Sequence, residues 1–414
     1  MRIVLALLTA ALCAQTPEQL RLSQQGKQLM AAGRFAEAVP VYETLTRQAP
    51  GNPELQLNLG TALHMAGRDQ AAVAILEPVT RQLPRAFSAF TLLGTSLLRL
   101  GQPASAIAPL ERAVELNPRD SEARRLLIEA LLAANRTAAT LPHREALAAQ
   151  TPDDPAAWFR LGQLYSSLAG DAFAQLRRTA PDSAATLYLL AEARQQQGRK
   201  TAADWFSTRA RALSPQPPPC PSPYCTIRDY AAKARAAFAR LDNLGDSVEW
   251  RQTRASMLTN QSKHPEAVAE WRAAVRMAAG RPDLEQGLAA SLCAAGLYDE
   301  GQPLLRKLLR GEPGNAELHL LLGECLLAKG DAETATLSLR RALALNPGFP
   351  PARAALGRAL AATGKFADAI PHLEAALPDD DDGATHFQIS RAYTATGQKD
   401  KAEAAAKRSQ ELHP

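Results

Sequence analysis

The stretch Pro155-Ala-Ala-Trp158-Phe-Arg-Leu161-Gly162-Gln-Leu-Tyr165 sets an indole, a Leu-Gly pair and a tyrosine at steps of three and four, so all of them fall on one face of a helix. Its glycine stands in a series. Gly26, Gly60, Gly94 and Gly162 are separated by 34, 34 and 68 residues; Gly33, Gly67 and Gly101 keep the same step, as do Pro50, Pro84, Pro118 and Pro152. Three registers in phase mark an array of stacked supersecondary repeats whose core runs across neighbours.

The copy from Pro53 to Ala86 shows what one repeat contains. Leu59 and Leu63, then Ala72, Leu76 and Val79 beyond Gly67, give each of two helices one apolar stripe. Gly60 and Ala72 leave room for a close helix crossing, Gly67 suits the left-handed backbone of a helix end, and Pro84 stops the second helix. A helix of ~13 residues is marginal alone in water, so stacking must supply the stability.

With Trp158, Leu161, Gly162 and Tyr165 in one copy and Gly60, Gly67, Ala72 and Pro84 in another, the chain resembles the tetratricopeptide repeat, a helix–turn–helix of 34 residues. The resemblance implies an all-α solenoid, a right-handed superhelix of about eleven such pairs, that binds proteins. At 414 residues the period fits about twelve times, which leaves no room for a conventional catalytic domain. A net charge of +5 is small at this length. Arg47, Arg81 and Arg112 sit late in second helices, where they complement the helix dipole, so a nucleic-acid stripe is not expected.

Residues 1–14 read as a signal peptide: Arg2, an apolar run from Ile3 to Leu12, and small residues at Cys13 and Ala14. Export to the periplasm or beyond is the expectation, with no transmembrane segment in the mature chain. Lipidation at Cys13 is disfavoured because Leu12 is not small. In an exported chain Cys220 and Cys225, flanking the proline-rich run from Ser214, are expected to close on each other, with free thiols or a metal site as alternatives. Cys293 and Cys325 fall in first helices of successive repeats, where a small buried residue is the default and pairing across the stack the alternative.

The organisation expected is a repeat block over 15–154, irregular plus regular repeats over 155–217, a Pro-rich Cys loop and single-helix module over 218–247, and a second block over 248–414. The fourth repeat is degenerate, with Ile128, Asn135 and Thr140 at signature positions. The fifth runs short after Tyr165, and register resumes at Leu187, Gly198 and Ala203. Tyr230, Ala237-Phe238-Ala239 and Asp246-Ser247 repeat Tyr165, Ala172-Phe173-Ala174 and Asp182-Ser183 at offsets of 65 and 64, as a duplicated module would. Asp379 to Asp382 lack the pattern of a calcium loop and read as a solvated connector.

The seven histidines are scattered, with no metal-protease pair, and no glycine-rich phosphate loop is present. The reading is therefore non-catalytic, with no cofactor and no metal. In the family that the chain resembles, first helices line a concave face that holds an extended peptide or a partner helix. The matching positions are Lys27, Met30, His64, Arg99, Arg125, Glu129, Phe159, Gln163, Tyr188, Glu192, Glu324 and Arg358, with Phe159 and Tyr188 as anchors. Family members that clamp acidic chaperone tails use Lys, Asn and Arg where this chain has Ser23, Lys27, Asn58, Ser88 and Leu92; only Asn58 agrees, which disfavours that ligand. The rival reading is a structural subunit of an envelope secretion, pilus or polysaccharide-export assembly.

Overall fold

The computed structural model describes residues 16–380 and 382–412; the expected signal peptide, with Cys13, lies outside them. The described residues form 22 α-helices, two short 3-10 turns and no strand, an all-α solenoid divided into two compact units at Thr151 and Pro152.

Unit 1 contains α1 (Pro17–Ala31), α2 (Phe35–Gln48), α3 (Pro53–Met65), α4 (Asp69–Gln82), α5 (Phe87–Arg99), α6 (Pro103–Leu116), α7 (Ser121–Ala133) and α8 (Leu141–Gln150). The sequence sets their ends. Asn52 and Asp120 accept backbone N–H bonds at the starts of α3 and α7, each such cap contributing about 1 kcal/mol. Gly67 closes α3 at φ +74° and Asn135 takes φ +58° at the matching turn, the conformation that asparagine tolerates best after glycine. The degenerate fourth repeat replaces the start of its second helix by a 3-10 turn, Thr137–Thr140, and α8 is correspondingly short.

Each regular glycine seats a large side chain 16 residues further on: Gly26 against Tyr42, Gly60 against Leu76, Gly94 against Leu110. A Cβ at Gly94 would overlap Leu110 Cγ. A second device recurs at the position that Trp158 occupies. Gln56, Arg124, Trp158 and Arg353 each donate a side-chain N–H to a proline carbonyl six residues back, at 2.7, 2.6, 2.9 and 2.6 Å. His319 meets Pro313 O in the same way at 3.1 Å. The carbonyl at a helix-terminating proline needs a donor, and side chains of different shape supply it.

Unit 2 holds α9 (Pro155–Thr179), α10 (Ala184–Gln196), α11 (Lys200–Leu213), α12 (Pro223–Leu244), α13 (Val248–Asn260), α14 (His264–Met277), α15 (Pro282–Ala294), α16 (Tyr298–Gly311), α17 (Ala316–Lys329), α18 (Ala332–Leu345), α19 (Pro350–Ala362), α20 (Phe366–Ala376), α21 (Ala384–Ala395) and α22 (Lys399–Leu412). Its regular pairs keep the same spacing, Gly323 against Leu339 and Gly357 against Leu373. Gly162 does not. It seats Phe238, 76 residues further on in α12. The partner of α9 is therefore α12, and the α10–α11 hairpin is inserted between the two halves of one repeat; serial order through Leu187 does not hold.

The two long helices run antiparallel: Phe159 meets Phe238 and Tyr165 meets Tyr230, both at 6.2 Å between ring centroids, while Phe173 lies by Tyr224 and Ile227. Tyr165 thus faces its own copy, Tyr230, at the centre of the pairing, so the two copies of the duplicated module form a pseudo-two-fold pair. Ser183 caps α10 and Ser247 caps α13 at equivalent places.

Unit 2 also closes on itself. Leu412 of α22 is 7% exposed among Leu187, Leu190, Phe206 and Ala210 of the hairpin, Arg408 pairs with Asp182 at 3.0 Å, and Arg177 donates to Pro378 O at 3.1 Å. Two disulfides lie in this unit, Cys220–Cys225 beside the start of α12 and Cys293–Cys325 between α15 and α17. The second departs from the default of separate buried thiols. Asp380 departs from the solvated connector: its side chain is 2% exposed and accepts from the His386 ring and backbone.

Candidate partner-binding surface

The first helix of each pair turns its Leu/Gly face to its partner and leaves the opposite face outward. On that face Lys27 of α1, Arg125 and Glu129 of α7 and Gln163 of α9 are exposed, and Arg125 pairs with Glu122 of its own helix at 3.6 Å. Met30 is half-buried against the core of unit 1.

His64 is not open to a ligand. It is 4% exposed, and its Nδ1 lies 3.0 Å from Asp69 Oδ1 and 2.8 Å from Ser96 Oγ, while Arg99 donates to its carbonyl at 3.3 Å. An ionised carboxylate only accepts, so Nδ1 carries the proton. Ser, His and Asp meet here without a relay, because both contacts fall on one ring nitrogen and Ser96 is wholly buried. The cluster joins α3, α4 and α5. Helical register pointed His64 outward; the polar partners that draw it in come from neighbouring helices.

These buried groups give the fold a pH dependence. Burial, then Arg99, lowers the pKa of His64 against the pull of Asp69; burial also lowers His143 and His372, with nearby arginines adding to it. At Asp380 burial raises the pKa, but hydrogen bonds from His386 outweigh it and the net shift is downward. Each group takes its proton more readily in the unfolded chain. Stability is then full above the ordinary histidine value of about 6.5 and lost as pH falls below it, with the carboxylate adding to the loss at lower pH. The thermal midpoint should drop steadily from pH 7 to pH 5, and a flat profile would contradict the burial of these histidines.

The remaining expected residues are engaged internally. Phe159 packs on Phe238. Tyr188 donates to Ser214 O at 2.9 Å, with its ring edge-on to Tyr224, and Glu192 accepts from the Tyr224 hydroxyl at 2.8 Å and pairs with Arg228 at 3.2 Å. Burial, then Glu192, pushes the Tyr224 hydroxyl up to about 12. Tyr188 and Glu192 are thus brought together as the joint between the hairpin and α12. Glu324 and Arg358 pair at 3.2 Å across successive first helices. Sequence reasoning missed the cations over aromatic rings along the α9–α12 pair: Arg240 over Trp158 at 5.4 Å, Lys233 over Tyr165 at 5.7 Å and Arg228 over Tyr224 at 5.5 Å. The first two span the helices and only the pairing of α9 with α12 reveals them, whereas Arg228 and Tyr224 stand four residues apart on α12 itself.

No helix among the described residues is long and apolar enough to cross a membrane. Two family profiles described as tetratricopeptide repeat match the chain, one over residues 29–93 and 326–388, the other over 91–139 and 287–350, together just over half of it. No curated protein matches. Similar solved structures include a thermophilic TPR protein of Thermus thermophilus, at 20% identity over 40% of this chain and 91% of that one with a TM-score of 0.37. Yeast Tom70 is similar at 14% identity over 95% and 92%, TM-score 0.36. The Cut9-Hcn1 hetero-tetramer of the APC/C is similar at 14% identity over 96% and 73%, TM-score 0.47.

Proposed function

The chain belongs to the tetratricopeptide repeat family, and from that premise we propose that it is an exported, non-catalytic scaffold whose first-helix face holds a peptide segment or a partner helix. The observation that carries the reading is the exposure of Lys27, Arg125, Glu129 and Gln163 on that face, beside residues spent on internal contacts. Rigid helices presenting polar side chains suit recognition of an extended or helical ligand. Export is supported by the bonding of all four described cysteines, since disulfides persist in oxidising compartments.

Affinity capture with the full chain as bait tests the surface. Lys27→Glu, Arg125→Glu and Gln163→Arg are the informative changes, because Phe159 and Tyr188 hold helices together and their truncation mixes folding with binding. Loss of a partner by about tenfold or more in at least one variant, with helicity retained, is expected. Undiminished capture by all three would place binding elsewhere. A partner that co-elutes as one stoichiometric species would instead favour a structural subunit of an envelope assembly.

A further inference from the structure

The α10–α11 hairpin is an insertion whose two sides do different things. One side rests on the far ends of α9 and α12 through Leu189, Tyr224 and Ile227. The other presents Leu187, Leu190, Phe206 and Ala210, and the cover on that side is the end of α22. Leu412 enters this patch. Four residues before it, on the same helix face, Arg408 reaches Asp182 at 3.0 Å, and Glu411 meets Arg209 at 3.6 Å.

This joint is built more lightly than the others of unit 2. Successive pairs from α15 to α20 share fully buried leucines such as Leu305, Leu318, Leu339, Leu356 and Leu373. Beside the exposed Arg177 hydrogen bond to Pro378 O, α22 brings to the closure a single leucine and ion pairs whose side chains stay 30–56% exposed and are open to screening by salt. A cavity of about 240 Å³ lies beside it, walled by Trp205, Phe206, Leu377 and Leu412 together with Arg177 and Arg209.

We propose that the α10–α11 hairpin is a receptor for the end of an amphipathic helix bearing the pattern Arg-x-x-Glu-Leu, that α22 occupies it within the chain, and that a partner helix of the same pattern displaces α22. The complementarity is specific: leucine for the apolar patch, arginine for Asp182, glutamate for Arg209. A light intramolecular contact held at millimolar effective concentration is one that a competing helix can replace. The surface is separate from the first-helix face, so capture through Lys27, Arg125 or Gln163 is independent of it.

Hydrogen exchange on the full chain tests the proposal. In Leu412→Asp, amides of α10, α11 and the last two turns of α22 should exchange at least ~10-fold faster while α15–α18 stay unchanged, and Arg408→Ala should give a smaller change at the same places. A synthetic peptide of residues 399–412, at millimolar concentration, should restore protection to the hairpin in Leu412→Asp by about twofold or more. The same peptide with its leucine changed to aspartate should not. Unchanged exchange in both variants, or no restoration by the native peptide, overturns the proposal.

Discussion

Gly162→Leu is expected to destabilise unit 2 by about 3 kcal/mol, and Phe238→Ala in the same chain to relieve part of that loss. A Cβ at Gly162 would stand 2.7 Å from Phe238 Cε1, and the ring is pinned between this glycine and Phe159. Helix propensity favours leucine over glycine by under about 1 kcal/mol, so overpacking decides the sign. Phe238→Ala alone should cost about 3 kcal/mol, near the low end for a buried phenylalanine because the ring is only half-buried. The double variant should fall at least about 1 kcal/mol short of the sum, since each change removes what the other clashes with. Urea unfolding followed by indole fluorescence reads this cleanly, because Trp158, Trp205, Trp250 and Trp271 all lie in unit 2. If the α9 partner were the next segment in sequence, Gly162→Leu would show no coupling to a residue 76 positions away.

That coupling marks where sequence reading stopped. In unit 1 the 34-residue step fixes helix, turn and packing together, because every partner of a glycine lies 16 residues on and the local stripe contains the whole contact. Around Phe173 the step misleads. Leu187, Gly198 and Ala203 hold their phase inside an inserted hairpin, so periodicity alone reads it as the next repeat in series. The duplication of Tyr165 and Phe173 at Tyr230 and Phe238 was legible; that the copies pack on each other was not, since antiparallel pairing leaves no mark in a one-dimensional offset.

The candidate surface shows the same division. Register places a residue on a face, but whether it stays there depends on partners elsewhere: among the described residues Lys27 and Gln163 meet none that holds them, whereas Ser96 and Asp69 draw His64 inward. Likewise the signature tryptophan is unbroken in one copy, yet Gln56, Arg124, His319 and Arg353 perform its hydrogen bond, a kinship of N–H donors hidden to comparison by residue type.

Reduction of Cys293–Cys325 is the second large effect. The two cysteines are 32 residues apart, two short of the period, so they occupy different positions on successive first helices and their side chains meet across the α15–α17 contact. The bond closes a loop that contains all of α16. Constraining a loop of that length in the unfolded chain contributes roughly 3–4 kcal/mol in the chain-entropy account, against about 2 kcal/mol for the short Cys220–Cys225 loop. Both thiols remain small and buried when reduced, at 8% and 1% exposure, so core packing should survive and the loss should appear as unfolding at lower urea with native helicity intact. Cys293→Ala and Cys325→Ala should each reproduce the loss, and reductant should add less to either variant than to the parent chain. Unit 1 has no cysteine among its described residues and serves as the internal control: its amide protection must not move. A unit 2 whose urea midpoint ignores reductant would remove the bond from solution, and with it the main physical support for folding in an oxidising compartment.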